Sequence, residues 1–336
     1  MQVPLHRDRL SAYLRTLLID PATKSVRLAI LEGSPQEPDL SRPTNCGGLG
    51  RIHKFRRSQS PEWPHDPLPI LPAVKRLGIA DRTQIDAQVF QLAGCDLRCW
   101  YCFVPYSMLT PRDSNSRLIS VEKLIGIYQA EKDPPKIIDC SGGQPDLAPE
   151  WIPWMMQELE REGLHDKTFL WSDDNLTNDL LWSEVPITEL DRMQSYKNYA
   201  RVGCIKGFNG RSYSFNTKDQ EDGFELQLKN LRRLLTLDID QYVYVTLTGL
   251  PEIDLLGEMR HFVDKLQQID QNLPLRTVPL EIMNFGVTKM RTKDRDVTSP
   301  YSVQYEAVHL WRKELETRYS QHELNIDIDS VELKTR

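Results

Sequence analysis

From about residue 85, short apolar runs alternate with helical stretches along most of the remaining chain, and this alternation restricts the fold more than any other feature. Runs near 87–92, 136–140, 167–172, 201–206, 241–247 and 277–282 have strand length, and segments near 120–131, 150–162, 188–199, 222–236 and 254–269 carry helical periodicity. A strand that returns through a helix to a neighbouring strand does so in parallel, by a right-handed crossover. Six such units predict an α/β fold. They are too few for a closed eight-unit barrel and suit a partial (β/α)6 TIM-like barrel of parallel strands with an N-terminal extension. Ser120 supplies a start signal for the first helix of the series.

The two ends of the chain read differently. Residues 1–84 form the extension, with Asp8 to Leu18 helical and Val26 to Leu31 extended. The stretch from Gly33 to Pro72 holds eight prolines and reads as a long irregular segment. A basic run from Arg51 to Arg57 lies inside it, either a solvated face or a guide for an acidic peptide, a phosphorylated substrate or a nucleic acid. The barrel is expected over 85–290. Residues 291–336 are expected to give a helix near 302–318 and a tail with a last strand at 324–328. A net charge of −6 offers no global basic field, so sequence-independent nucleic-acid binding is not supported. No apolar run approaches the roughly 20 residues that cross a bilayer, and the N-terminal residues carry no run of signal-peptide length. The expected compartment is the cytoplasm, with no membrane partner.

Chemistry is concentrated in Cys95, Cys99 and Cys102, within Cys-Asp-Leu-Arg-Cys-Trp-Tyr-Cys-Phe. Three thiolates in eight residues can hold three irons of an iron–sulfur cube and leave the fourth iron open. The alternative is structural zinc, which takes four ligands; Cys46, Cys140 and Cys204 all lie far away in sequence. The triplet follows the first strand of the series, at the strand edge where βα folds place active sites.

The spacing Cys-x3-Cys-x2-Cys, with an aromatic residue just before the last cysteine, resembles the signature of the radical S-adenosylmethionine (SAM) enzymes. The core resembles the glycyl-radical-enzyme activating enzymes of the pyruvate formate-lyase type. The resemblance implies a [4Fe–4S] cluster on the three cysteines and SAM as cofactors, with Tyr101 against the SAM adenine. Ser141-Gly142-Gly143-Gln144-Pro145 is similar to the family's Gly-Gly-Glu-Pro motif, with Gln144 in place of Glu; Gly142, Gly143, Gln144 and Pro145 would meet the SAM amine. Trp171-Ser172-Asp173-Asp174-Asn175 resembles an Asp-Thr-Asn-Gly stretch. Asp173 and Asn175 match it, Leu176 stands where it has Gly, and a helix N-cap is the other reading. Lys206 matches a lysine that meets the SAM carboxylate, while Cys204 replaces an Asp. In the last strand Asn284 is a SAM-contact candidate, and Phe285 and Gly286 occupy the places of a Tyr-His pair.

The implied activity is reductive cleavage of SAM to a 5′-deoxyadenosyl radical that abstracts hydrogen from a substrate, driven by a reductant such as flavodoxin or ferredoxin. The substrate is open between a protein or peptide, as in the activases, and a small molecule or nucleotide in cofactor biosynthesis or tRNA modification. A non-catalytic Fe–S or zinc-binding regulator is the reading of another class.

Overall fold

The computed structural model describes residues 7–58, 65–284, 286–293 and 297–334. Its strands are β1 (Ile19–Asp20), β2 (Ser25–Ala29), β3 (Gly50–Arg56), β4 (Gln84–Gln91), β5 (Ser116–Ser120), β6 (Ile137–Ser141), β7 (Phe169–Asp174), β8 (Tyr199–Ile205), β9 (Asp240–Val245) and β10 (Thr277–Pro279). Its helices are α1 (Arg7–Leu18), α2 (Ile70–Leu77), α3 (Val121–Gln129), α4 (Trp151–Arg161), α5 (Leu180–Glu184), α6 (Ile187–Ser195), α7 (Gly210–Thr217), α8 (Gly223–Leu234), α9 (Leu255–Ile269), α10 (Gly286–Thr292), α11 (Thr298–Arg318) and α12 (Gln321–Leu324).

Seven strands form one curled sheet in the order β10-β9-β8-β7-β6-β4-β3. The six from β4 to β10 are parallel and stand in chain order across the sheet, as right-handed βα crossovers dictate. This is the partial TIM-like barrel expected from the alternation. Alternate residues of each strand point to opposite faces. The outward set, including Phe90, Cys140, Leu170 and Ile205, joins the main core beneath the helices. The inward set, including Ala87, Ile137, Phe169, Val202 and Tyr242, packs with Phe55, Leu68, Ile70 and Val74 into a second core that plugs the barrel interior. Ser120 caps α3 by accepting a hydrogen bond from the Lys123 amide at 3.4 Å.

Three local expectations are corrected. The stretch from Gly33 to Pro72 is not wholly irregular, because Gly50–Arg56 is β3, paired antiparallel with β4, and Ile70–Leu77 is α2. The strand was hidden because its inward residues Arg51, His53 and Phe55 mix charge with apolarity, so no alternation of hydrophobicity marks it. The tail forms no strand at 324–328. Ser320 and Glu323 make a capping box that starts α12, and a short 3-10 turn, Ile328–Ser330, follows. The strand expected at 277–282 stops at Pro279, opposite Val245 at the end of β9, and Leu280 makes one last bond by donating its amide to the Val245 carbonyl at 2.8 Å. Outside the barrel, β1, β2 and β5 make a separate three-stranded sheet. No helix among the described residues is long and apolar enough to cross a membrane.

Candidate active site

A cavity of about 280 Å³ opens inside the half-barrel at the C-terminal edge of its parallel strands. Cys95, Cys99 and Cys102 line one end of it. All three are free thiols on the loop after β4, Cys95 and Cys99 buried and Cys102 half-buried. Burial raises each above the ordinary thiol value: Cys95 well above it, Cys99 to about 11 and Cys102 less markedly. Lys206 opposes the rise at Cys99, and Arg291, Lys206 and Arg98 oppose it at Cys102. Burial works against the Lys206 ammonium in turn, yet the neighbouring sulfurs of Cys204, Cys99, Cys95 and Cys102 raise it above its usual value.

The loop is fixed by its own side chains and by others from distant elements. Arg98 donates through Nη1 to the carbonyls of Cys95 (2.6 Å) and Leu97 (2.7 Å). Arg291, on α10, donates to the carbonyls of Cys99 (3.2 Å), Trp100 (3.1 Å), Cys102 (2.6 Å) and Val104 (2.9 Å), and its guanidinium lies 3.9 Å from the Tyr106 ring centroid. The Tyr106 hydroxyl donates to the carbonyls of Arg98 and Cys99. Asn175 Nδ2 donates to Cys95 Sγ at 3.4 Å, the kind of outer contact that orients a ligand sulfur. No helix begins at 173–175, so that contact replaces the N-cap reading.

Gly142 and Gly143 join the end of β6 to this loop. Both have positive φ, +70° and +60°. A Cβ on Gly143 would lie 2.3 Å from the Leu92 carbonyl oxygen and 2.5 Å from that of Gly94, so only glycine fits. The Gln144 amide completes the junction by donating to Gly94 O at 2.8 Å. Leu176, where the activase stretch has glycine, adopts φ +60°, and its buried side chain packs on Gly203.

Tyr101, Gly142, Gly143, Pro145, Asp173, Asn175 and Lys206 all line the cavity with the cysteines. The Tyr101 hydroxyl lies 3.0 Å from Thr246 Oγ1. Asp173 accepts from Ser141 Oγ (2.6 Å) and Trp171 Nε1 (3.0 Å), and burial raises its carboxyl. Two expected residues are not brought in. Gln144 is fully buried with its amide spent on Thr177 Oγ1 at 2.6 Å, and Asn284 is exposed outside the lining. Phe285 lies outside the described residues.

The opposite end of the cavity holds groups that sequence reasoning missed. Arg51, His53 and Phe55 enter from β3, Asp139 from β6, Tyr244 from β9, and Asp66 from the loop before α2. Asp66 accepts from His53 Nε2 (3.0 Å) and from the Tyr244 hydroxyl. Burial pushes Asp139 well up and draws Arg51 down from its usual value. The one signal was the basic run itself: Arg51, expected on a solvated face, points into the barrel.

Three free thiols converging on one cavity from a braced loop, with backbone amides, a carboxylate and an ammonium beside them, fit a thiolate-held cluster and a polar ligand at its open side. A family model described as the radical SAM superfamily matches residues 92–264. The 7-carboxy-7-deazaguanine synthase of Rhodopirellula baltica is 27% identical over 92 residues, which are 27% of this chain and 34% of that protein, so the match spans about a third of that relative. Among solved structures, Streptococcus suis SuiB bound to precursor peptide SuiA is similar at TM-score 0.39 and 13% identity, over 54% of this chain and 36% of that one. The radical SAM methyltransferase TsrM from Kitasatospora setae, with cobalamin and [4Fe–4S] cluster bound, is similar at TM-score 0.41 and 13% identity, over 60% and 37%.

Proposed function

The chain belongs to the radical SAM superfamily, and we propose that it is an enzyme acting on a small polar molecule held in the same cavity as its cluster. Its cofactors are a [4Fe–4S] cluster and SAM. The chemistry they supply when bound is reductive cleavage of SAM to methionine and a 5′-deoxyadenosyl radical, which takes a hydrogen atom from the substrate.

In this reading Cys95, Cys99 and Cys102 hold three irons of the cluster. Asn175 steadies the Cys95 sulfur, and Arg98 and Arg291 keep the loop in one conformation. The Lys206 ammonium, which has no hydrogen-bond or ion-pair partner among the described residues, would meet the SAM carboxylate. The backbone of Gly142 and Gly143 would hold the SAM amine, and Tyr101 would lie along the adenine. Asp173 is held by Ser141 and Trp171 in an orientation suited to a ribose or amine contact. Gln144 and Asn284 drop from the contact set. A reductant such as flavodoxin or ferredoxin delivers the electron.

The observation that carries the substrate reading is the one cavity with thiols at one end and buried polar groups at the other. Arg51 and Asp139 sit on the interior face of the sheet rather than on its rim, where a bound protein or peptide would rest. This favours a small molecule over the peptide substrate that the activase resemblance implies. The name of the Rhodopirellula baltica relative, which specifies a small carboxylated heterocycle, agrees with that choice.

Anaerobic reconstitution followed by SAM and dithionite tests the reading. About four irons per chain and released 5′-deoxyadenosine are expected. One zinc per chain with no nucleoside product would overturn it in favour of a binding protein.

A further inference from the structure

Arg51 and Asp139 present a guanidinium and a carboxyl group to the same cavity and make no direct ion pair. Arg51 is 8% exposed and Asp139 3%. Arg51 stands opposite Val89 in the β3–β4 ladder, and Val89 opposite Asp139 in the β4–β6 ladder. The two therefore project from one row on one face of the sheet, with Cα atoms two strand spacings, about 10 Å, apart.

Neither head group makes a hydrogen bond or an ion pair with any described residue, and they make none with each other. Arg51 Nε and Asp139 Oδ1 are shut off from solvent without a partner. The guanidinium stands over the Phe103 ring, 5.1 Å from its centroid, and Asp139, Asp173 and Asp66 act on it without a direct ion pair. Two other acids of the cavity are held by neighbours, Asp66 by His53 and Tyr244 and Asp173 by Ser141 and Trp171. A buried polar or charged group left unpaired costs stability, and two such groups aimed at one space are compensated by a molecule that fits between them.

We propose that Arg51 and Asp139 form a clasp for the substrate, which offers an acceptor oxygen, carboxylate or carbonyl, to the guanidinium and N–H donors to the carboxylate. This rests on the reading of the cavity as the substrate site and adds the chemical class of its occupant. Trp171, next to Asp139 in the same row, and Phe103 beside Arg51 give the clasp flat apolar walls that suit a compact planar frame.

Two measurements test the clasp. Arg51→Met and Asp139→Leu each remove a buried polar group that has no partner, so each is expected to raise the thermal midpoint of the free protein by about 2 °C or more. A midpoint unchanged or lowered in either variant overturns the clasp, since a structural charge would be missed. For binding, 2-aminopyrimidine-5-carboxylate carries both groups on one planar frame, while pyrimidine-5-carboxylate and 2-aminopyrimidine carry one each. Calorimetry on the anaerobically reconstituted protein with SAM should show the bifunctional probe binding at least tenfold more tightly than either half. Arg51→Met should erase the advantage of the carboxylate and Asp139→Leu that of the amine. No preference for the bifunctional probe, or a preference that survives both substitutions, overturns the proposal. Release of 5′-deoxyadenosine by the unsubstituted protein is scored separately. Its absence sinks the radical reading without touching the stability result.

Discussion

The two ends of the cavity are built by opposite rules. At the cysteine end almost every backbone carbonyl has a donor: Arg98, Arg291, Tyr106 and the Gln144 amide all tie the loop down. At the interior end the Arg51 guanidinium and the Asp139 carboxyl face the cavity without a hydrogen-bond or ion-pair partner among the described residues. A site that keeps its occupant through many turnovers gains from a surround that does not move. One that exchanges its occupant gains from charges that only the occupant satisfies. On the proposed reading, the braced end holds the resident group and the receptive end the transient one.

The harshest way to break this division is to remove one cysteine ligand. Cys99→Ala should abolish cluster assembly, with iron falling to background after anaerobic reconstitution. The apo-protein should lose only about 1 kcal/mol of stability, because a small buried thiol becomes a methyl. Iron retained at the unsubstituted level would remove Cys99 from the ligand set. The next largest effect is expected at Gly143. Its alanine variant carries both a strained φ and a Cβ against two carbonyl oxygens, one of which already accepts from the Gln144 amide. The cost should be about 3 kcal/mol in urea unfolding. Gly33→Ala, at φ +68° with open space around it, is the control and should cost about 1 kcal/mol. Equal costs at the two positions would mean that the junction of β6 with the cysteine loop is not a fixed point.

The same division explains what could be read from the chain. The cysteine end is written contiguously: the triplet spans eight residues, and the resemblance to the radical SAM enzymes adds Gly142–Gly143 and Lys206 at the ends of later strands. The parallel order of β4 to β10 was legible for a similar reason, since apolar runs recur between helices. The interior end is written across the chain. Arg51 and Asp139 are 88 positions apart and meet only through the register of β3, β4 and β6. Arg51 also read as part of a solvated basic run, because hydrophobic periodicity cannot mark a strand whose inward face is polar. Arg291 was invisible too: nothing in its neighbourhood signals four carbonyls from a loop some 190 residues earlier.

Arg291 permits a finer test of the braced end. Arg291→Leu leaves four carbonyls without their charged donor while keeping the aliphatic bulk of the stem. The cluster should still assemble but release iron to a chelator about tenfold faster, the scale on which outer contacts act. Arg291→Lys should recover only part of the difference, since an ammonium cannot fork between carbonyls as a guanidinium does. Release at the unsubstituted rate in both variants would mean that the loop holds itself.

The smallest expected effect asks whether the two ends are independent. Asp39 accepts from the amides of Gly286 (3.1 Å) and Val287 (2.9 Å), fastening the N-terminal segment to the start of α10. Asp39 to Ser41 and Leu280 to Met283 line the cavity, so this contact sits on its margin, and Arg291 lies further along the same helix. Asp39→Ala should cost about 1 kcal/mol, as the loss of a helix cap does, which corresponds to about fivefold faster hydrogen exchange at the Gly286 and Val287 amides. Iron release should not change, because the Arg291 fork is anchored on four acceptors of its own and does not need the start of its helix held. Faster exchange together with faster iron release would show that slack at the margin reaches the cluster loop through α10. The rigid end and the receptive end would then be one mechanical unit.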